Sequence, residues 1–339
     1  EPTTFMFSTN QSYSPANYND KYANKNITMA AALAYSDNIY AVKTHLFLGE
    51  EVLVNTANRM GIREELEPLP SLALGTSELS MIDFARGYTT LASGGYKRDI
   101  TFIERVEDMN GNVLYKKDIS KELVLNESYT YILNEMMTST YNSSFIDYNT
   151  PTVMSVASKI SNKYAIKTGS SGTDCWMVGY NPNILMLVWN GYDDNSELEV
   201  KDGAISKNIW VDTVESLNIE KEWYTTPDNV VGIPLDAVTG EITDKAECLR
   251  IIDKIDKIVN TLPFSPTQHM KRNTSIYAGI CSDLNVPGTG FKVKDFHIDT
   301  LLNRNMPLKE WGIYWLKLSS ANGCNAADQI LAILSEHKQ

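Results

Sequence analysis

Residues 165–182 read AIKTGSSGTDCWMVGYNP, a β-branched run that ends in Lys167, Thr168, Gly169, Ser170 and Ser171. A lysine on a strand facing a cleft supplies a fixed positive charge. The hydroxyls of Thr168 and Ser170 add donors, and Gly169 lets a ligand backbone lie close. This combination fits a peptide that ends in a carboxylate. Charge-assisted hydrogen bonds contribute roughly 1.5–3 kcal/mol each, so two or three would fix a substrate's end even on an acidic protein. Alone, the triplet reads more simply as an exposed strand lysine and a Thr-Gly-Ser turn. A second group, Ser36-Asp37-Asn38, interrupts a helical run with three residues that favour caps and turns. Alone it is commonplace, and the pair is what carries information.

The surrounding pattern indicates which elements must position these groups. The opening 26 residues, rich in Asn, Ser, Tyr and Pro, read as loop until Thr28 offers an N-cap before MAAALAY. After the Ser-Asp-Asn break, IYAVKTHLFLG resumes a helix that stops at Gly49. Ser80 is placed as the cap of MIDFARGYTTLAS, with Met81, Ile82, Phe84, Ala85, Tyr88 and Leu91 as a core-facing stripe ended by Gly94-Gly95. Asn110-Gly111 turns a hairpin, NVLYKKDISKELVL reads as strand, and SYTYILNEMMTST reads as helix. The Lys-Thr-Gly strand is followed by CWMVGY and ILMLVWNGYDD, which predicts three consecutive antiparallel strands, and SKNIWVDTVESL is an amphipathic helix able to cover them. NVVGIPLDAVTGEITD reads as a further hairpin turning at Thr239-Gly240. Composition shifts after about Glu247. Residues 1–247 therefore read as one domain and 248–339 as a helical appendage of unknown role.

Composition narrows the partners. Thirty Lys and Arg against 42 Asp and Glu leave a formal charge of -12, which argues against nucleic acid or anionic lipid as the main partner. The four cysteines, at 175, 248, 281 and 324, are scattered without metal-ligand spacing, so neither a metal, a cofactor nor a disulfide framework is expected. Purely apolar runs such as Ile184 to Trp189 are far below the roughly 20 residues of a membrane span. Glu1 opens as though in mid-domain, with no initiator Met or signal peptide.

Ser-x-Asn in a helix break, followed well downstream by Lys-Thr-Gly on a strand, makes two thirds of the S-x-x-K, S-D-N and K-T-G set of penicillin-binding proteins and class A β-lactamases. The flanks YSPANYNDKYANKNITMAAALAYSDNIYAVKTHLFLG, PSLALGTSELSMIDFARGYTTLASGGY and IKTGSSGTDCWMVGYNPNILMLVWNGYDD resemble the transpeptidase domain of class A penicillin-binding proteins of Gram-positive bacteria, from residue 1 to roughly 244. The resemblance implies an α+β fold, an antiparallel sheet flanked by helices as in the penicillin-binding protein and β-lactamase fold, incomplete at its N-terminus. It implies a D,D-transpeptidase that cross-links peptidoglycan stem peptides by serine acyl transfer, with β-lactams as covalent inhibitors, at the extracytoplasmic face of the bacterial membrane. Ser36 would relay a proton beside the catalytic lysine, and Asn38 would bind the substrate backbone. Lys167, Thr168 and Ser170 would bind the terminal carboxylate of D-alanyl-D-alanine, the Ser170 amide would form half of an oxyanion hole, and Gly169 and Ser171 complete the substrate-binding set.

One element of the set is absent. No Ser-x-x-Lys precedes residue 36, and Ser335 to Lys338, the one occurrence, lies in the appendage in the wrong order. The nucleophile is therefore expected on a missing upstream segment, along with a glycosyltransferase domain and membrane anchor. Glu122-Leu-Val-Leu-Asn126 spells the loop signature of the deacylating glutamate in class A β-lactamases, but it sits at the end of a strand and before a helix, where the penicillin-binding family has a similar helix entry. A β-lactamase, a D,D-carboxypeptidase and a non-catalytic peptidoglycan-binding module of the same fold stand as alternatives. His45 reads as a packing histidine, Cys175 as a small buried residue, and Trp176, Trp189 and Tyr192 as core and cleft wall.

Overall fold

The structure, a computed structural model, describes residues 1–240 except positions 9, 10, 119, 229, 231, 233 and 234. The expected appendage over 248–339 and the second arm of the hairpin at Thr239-Gly240 lie outside the described residues.

The opening stretch is not all loop. Strands β1 (Phe5–Ser8) and β2 (Gln11–Tyr13) form a short antiparallel pair. Helix α1 (Met29–Tyr35) begins as its sequence requires, the Thr28 hydroxyl accepting the Ala31 N–H at 3.0 Å. It closes on Ser36 in the left-handed conformation (φ 56°), and Asp37 caps α2 (Asn38–Leu48) by accepting the Tyr40 N–H at 2.8 Å. The helix break is thus a turn in which each residue has a separate task. Helix α3 (Glu50–Met60) follows directly after Gly49.

The next helix, α4 (Met81–Ala92), departs from expectation on two points. Ser80 stands at the cap position, but its hydroxyl donates to Glu64 Oε1 at 2.6 Å and caps nothing. The buried face is also rotated from the apolar stripe: Asp83, Gly87, Thr90 and Leu91 face inward, while Met81 and Ile82 are exposed. The cause is a carboxylate that binds. Asp83 accepts the backbone N–H groups of Arg63 and Glu64 at 2.7 and 2.9 Å and pairs with Arg86 at 2.7 Å, so the polar atoms it buries are satisfied.

Strand β3 (Tyr96–Arg98), the hairpin of β4 (Arg105–Glu107) and β5 (Val113–Lys116), and β6 (Lys121–Leu123) come next. The run read as one strand from Asn112 to Leu125 holds two, because β5 pairs with β4 and β6 pairs with β3. Asn126 accepts the N–H groups of Ser128 and Tyr129 and so starts α5 (Glu127–Met137).

The principal sheet is antiparallel in the order β7 (Ala165–Ser170), β8 (Asp174–Tyr180), β9 (Leu185–Gly191), which leaves the Lys-Thr-Gly strand at an edge. Helix α6 (Ile205–Ser216) covers one face, with Trp210, Val211 and Val214 packed on Ile166, Met177 and Val188. Leu91 of α4 and Met137 of α5 pack against Ala165 and Tyr180 on the other. There the Tyr180 hydroxyl donates to Asn134 Oδ1 at 2.8 Å and fixes α5 on the sheet.

Gly179 lies directly against Trp210 of α6. A Cβ there would lie 2.3 Å from Trp210 Cζ2, and Trp210 is fully buried with its indole N–H donating to Met186 O. Gly179→Ala should therefore cost about 1–3 kcal/mol through overpacking. Chemical denaturation measures it, and a midpoint equal to the parent's would contradict this packing.

Candidate active site

The turn between α1 and α2 and the edge strand β7 meet in one cleft of about 1300 Å³, lined by Ser36, Asn38, Lys167, Thr168, Gly169, Ser170 and Ser171 among others. The seven residues expected to bind substrate or move protons therefore border the same space. The link between the two elements is direct. Lys167 Nζ donates to Ser36 Oγ at 2.7 Å and to Thr168 O at 2.6 Å. Burial of the amine pushes its pKa down to about 8.

The turn that presents Ser36 is held from behind. Asp37 is buried, and Oδ2 accepts from Asn17 Nδ2 at 2.7 Å and from the Tyr148 hydroxyl at 3.0 Å. Asn17 Oδ1 in turn accepts the Asn38 N–H at 2.8 Å. Asn38 Nδ2 donates to Ala16 O at 2.6 Å, which aims the side chain and leaves its oxygen as the group available to a ligand. Burial first, and then the neighbouring Asp37 carboxylate, raise the Tyr148 phenol well above its ordinary value, so it remains a donor.

On β7 the side chains differ in what they offer. Among the described residues the hydroxyls of Thr168 and Ser170 have no protein partner. The Ser171 hydroxyl, by contrast, serves the β7–β8 turn: it accepts the N–H groups of Thr173 and Asp174 and donates to Asp174 Oδ2 at 3.1 Å. Asp174 also accepts from Thr173 Oγ1 and Trp189 Nε1, both at 2.7 Å, and these bonds hold its carboxyl below the usual range. At Gly169 a Cβ would meet Trp176 Cβ at an ordinary 3.7 Å, so the fold itself does not demand glycine there. What glycine keeps open is the cleft.

These features have counterparts among known proteins. A family model described as the penicillin-binding protein transpeptidase domain matches residues 3–214. The chain belongs to this family. Penicillin-binding protein 2D of Bacillus subtilis is 44% identical over 233 residues, covering 68% of this chain and 34% of that protein. Penicillin-binding protein 1A of Aquifex aeolicus is 30% identical over 224 residues, covering 64% and 30%. The crystal structure of penicillin-binding protein 1A from Haemophilus influenzae superimposes with a TM-score of 0.63 at 17% identity, over 72% of this chain and 42% of that one, which is a likeness of fold. The chain thus spans about a third of the length of these two curated relatives. The expected class A penicillin-binding transpeptidase domain and its α+β fold are borne out.

Within this transpeptidase domain the other candidates sort as follows. Glu122, the β-lactamase-type glutamate considered from sequence, lies on β6, pairs with Lys97 at 2.6 Å and does not line the cleft. Trp176 is cleft wall, edge-on to Phe84. Trp189 and Tyr192 do not line it, and Tyr192 is exposed. His45 is buried with Nε2 3.0 Å from Leu69 O, and Cys175 is buried. Sequence reasoning missed Asn17, Tyr148, Asp174 and Lys207, the last a half-buried lysine in the same cleft. Asp174 could have been noticed four residues after Ser170. Asn17, in an Asn-rich loop, carried no such signal. Among the described residues no group of three or more His, Cys, Asp or Glu could hold a metal ion, and no helix is long and apolar enough to cross a membrane.

A buried amine with a depressed pKa costs stability while it is charged. The unfolded chain binds the Lys167 proton up to about pH 10.5 and the folded one releases it near 8, so the cost is full below pH 8 and fades as pH rises towards 10.5. Lys167→Met should thus be about 1–3 kcal/mol more stable than the parent at pH 7, after the lost hydrogen bonds are offset, with the gap narrowing by pH 9.5. A variant less stable at pH 7, with a difference independent of pH, would refute this. Denaturant titrations across that range supply the comparison.

Proposed function

We propose that this chain carries the proton-relay and carboxylate-binding half of a peptidoglycan D,D-transpeptidase. The carrying observation is the Lys167–Ser36 hydrogen bond beside an edge strand with free hydroxyls. An edge strand offers unpaired backbone groups to an extended peptide. A D-alanyl-D-alanine stem peptide lying along β7 brings its carboxylate to Thr168 and Ser170, while Asn38 Oδ1 accepts from its backbone. Gly169 allows the close approach, the Ser170 N–H contributes to the oxyanion hole, and Ser171 holds the turn that orients them.

The reaction has two steps. A serine oxygen attacks the carbonyl of the penultimate D-alanine, the C–N bond to the last residue breaks, and the departing amine takes a proton. The acyl group then passes from serine to an amine of a second stem peptide. Ser36 is suited to hand that proton to the leaving amine, since its hydroxyl is held 2.7 Å from Lys167 Nζ. Lys167 is mostly protonated at neutral pH and supplies positive charge where the oxyanion forms. With a pKa near 8 it also has an accessible neutral form for the return of the proton.

We place the nucleophile on a helix supplied from outside these 339 residues. The i, i+3 spacing of Ser-x-x-Lys sets a lysine amine one helical turn from the serine, and no such pair precedes Ser36. The cleft supports the assignment. Its lining includes the apolar side chains of Ala41 and Leu48 of α2, Val52 and Leu53 of α3, and Leu74. An apolar wall of that kind suits a helix better than a peptide terminus. The same reading puts the whole protein at the extracytoplasmic face of the membrane, with β-lactams as covalent inhibitors and a glycosyltransferase domain in the same polypeptide.

The 339-residue chain alone should therefore form no stable adduct with a labelled penicillin. Adding the upstream segment, in cis or as a separate chain, should restore labelling on a serine outside this sequence, and Lys167→Ala should slow that labelling at least tenfold. Lys163→Ala should leave it near the parent's rate, because Lys163 binds Glu135 at 2.7 Å and lies over Trp223, away from the cleft. A penicilloyl group found by mass spectrometry on Ser36, Ser170 or Ser171 of the isolated chain would overturn the assignment of roles.

A further inference from the structure

Lys207, on the first turn of α6, is the second lysine of the cleft. It is half-buried, and burial lowers its pKa below the ordinary lysine value. Among the described residues its ammonium has no carboxylate partner. Its one hydrogen bond is to Thr152 O at 2.8 Å. Two of its three N–H donors are therefore left for a ligand.

The surroundings of that amine are polar and partly unsatisfied. Thr152 borders the cleft, and its Oγ1 is buried without a hydrogen-bond partner among the described residues. The Thr152 N–H donates to Ala34 O at 2.9 Å, which ties this loop to α1 two residues before Ser36. On the other side, Cys175 lies near enough to Lys207 for their charges to interact. Cys175 is the register partner of Ser170 across β7 and β8. Side chains alternate along a strand, so Thr168, Ser170 and Cys175 share the sheet face that α6 covers, whereas Lys167 and Gly169 share the opposite one. The two lysines consequently approach β7 from its two faces, and Lys207 is the one on the side of the free hydroxyls.

We propose that Lys207, with the buried hydroxyl of Thr152, is a second cationic anchor for the terminal carboxylate of the peptide bound by Thr168 and Ser170. This rests on the reading of the cleft as a D-alanyl-D-alanine site. It divides the work between the lysines: Lys167 serves the reacting carbonyl and the proton relay, and Lys207 serves the carboxylate one residue further along the substrate. A desolvated ammonium without a counter-ion is costly to keep for structure alone, since a neutral amide could equally donate to Thr152 O. An incoming carboxylate supplies the missing charge.

The test compares binding of an N-acetylated D-alanyl-D-alanine peptide and of its C-terminal amide to the 339-residue chain, by NMR titration. The parent should bind the acid at least tenfold more tightly than the amide. Lys207→Met should lose about tenfold or more in affinity for the acid and leave the amide unchanged, while Lys207→Arg should keep the preference. Lys207→Gln, which retains a donor for Thr152 O, repeats the measurement if the methionine variant does not fold, and should lose the acid preference in the same way. A preference that survives in both neutral variants but collapses in Thr168→Val would overturn the role of Lys207 while leaving the site reading intact. Equal weakening of acid and amide would reduce Lys207 to a structural pin and overturn it too. Binding of neither ligand by the parent would bring down the site reading and this inference with it.

Discussion

The hydrogen bond from Lys167 Nζ to Ser36 Oγ joins residues 131 positions apart, and much of the described structure serves to make it possible. A desolvated ammonium must have partners, and a short serine side chain reaches one only if the backbone behind it is fixed. Ser36 achieves this in a left-handed turn that a non-glycine residue adopts at a cost of roughly 1 kcal/mol. The turn persists because Asp37 caps α2 on one side and binds Asn17 and Tyr148 on the other. Local strain at the site is thus offset by a buried polar network one residue away.

The lysine has its own support. Among the described residues strand β7 has one neighbour, β8, and its position depends on α6 packing Trp210 against one face and on α4 and α5 closing the other. Two lysines four residues apart then meet opposite fates. Lys163, before the strand, has a carboxylate and an aromatic ring; Lys167, within it, has a serine hydroxyl and a carbonyl. Identical side chains are separated into an ion pair and a cleft amine by their partners alone.

Much of the candidate site was legible in the sequence because it consists of two short local patterns. Ser-Asp-Asn and Lys-Thr-Gly fall at turns and strand ends that propensity and periodicity also mark. The rest depends on which distant residues meet. Asn17 and Tyr148 acquire their roles only when the opening loop and the 147–152 segment pack against the α1–α2 turn, and nothing local distinguishes them from their neighbours. Lys207 sits on a helix whose amphipathic pattern carries no signal for a cleft lysine. The α4 stripe misled for a related reason: hydrophobic periodicity presumes that charge faces water, whereas the Asp83 carboxylate collects two backbone donors and an arginine and is buried. In the segment from Asn112 to Leu125 strand propensity is legible and the partners are not, since pairing is a tertiary property.

The central claim is that Lys167 is a desolvated cleft amine bonded to Ser36, and NMR of the chain with carbon-13 label at the lysine ε position examines it directly. Assignment by loss of one signal in Lys167→Met isolates the resonance. A titration midpoint near pH 8 for that signal, displaced when Ser36 is replaced by alanine, is the result expected. A midpoint near 10.5, indifferent to Ser36, would place the amine in solvent and contradict the account.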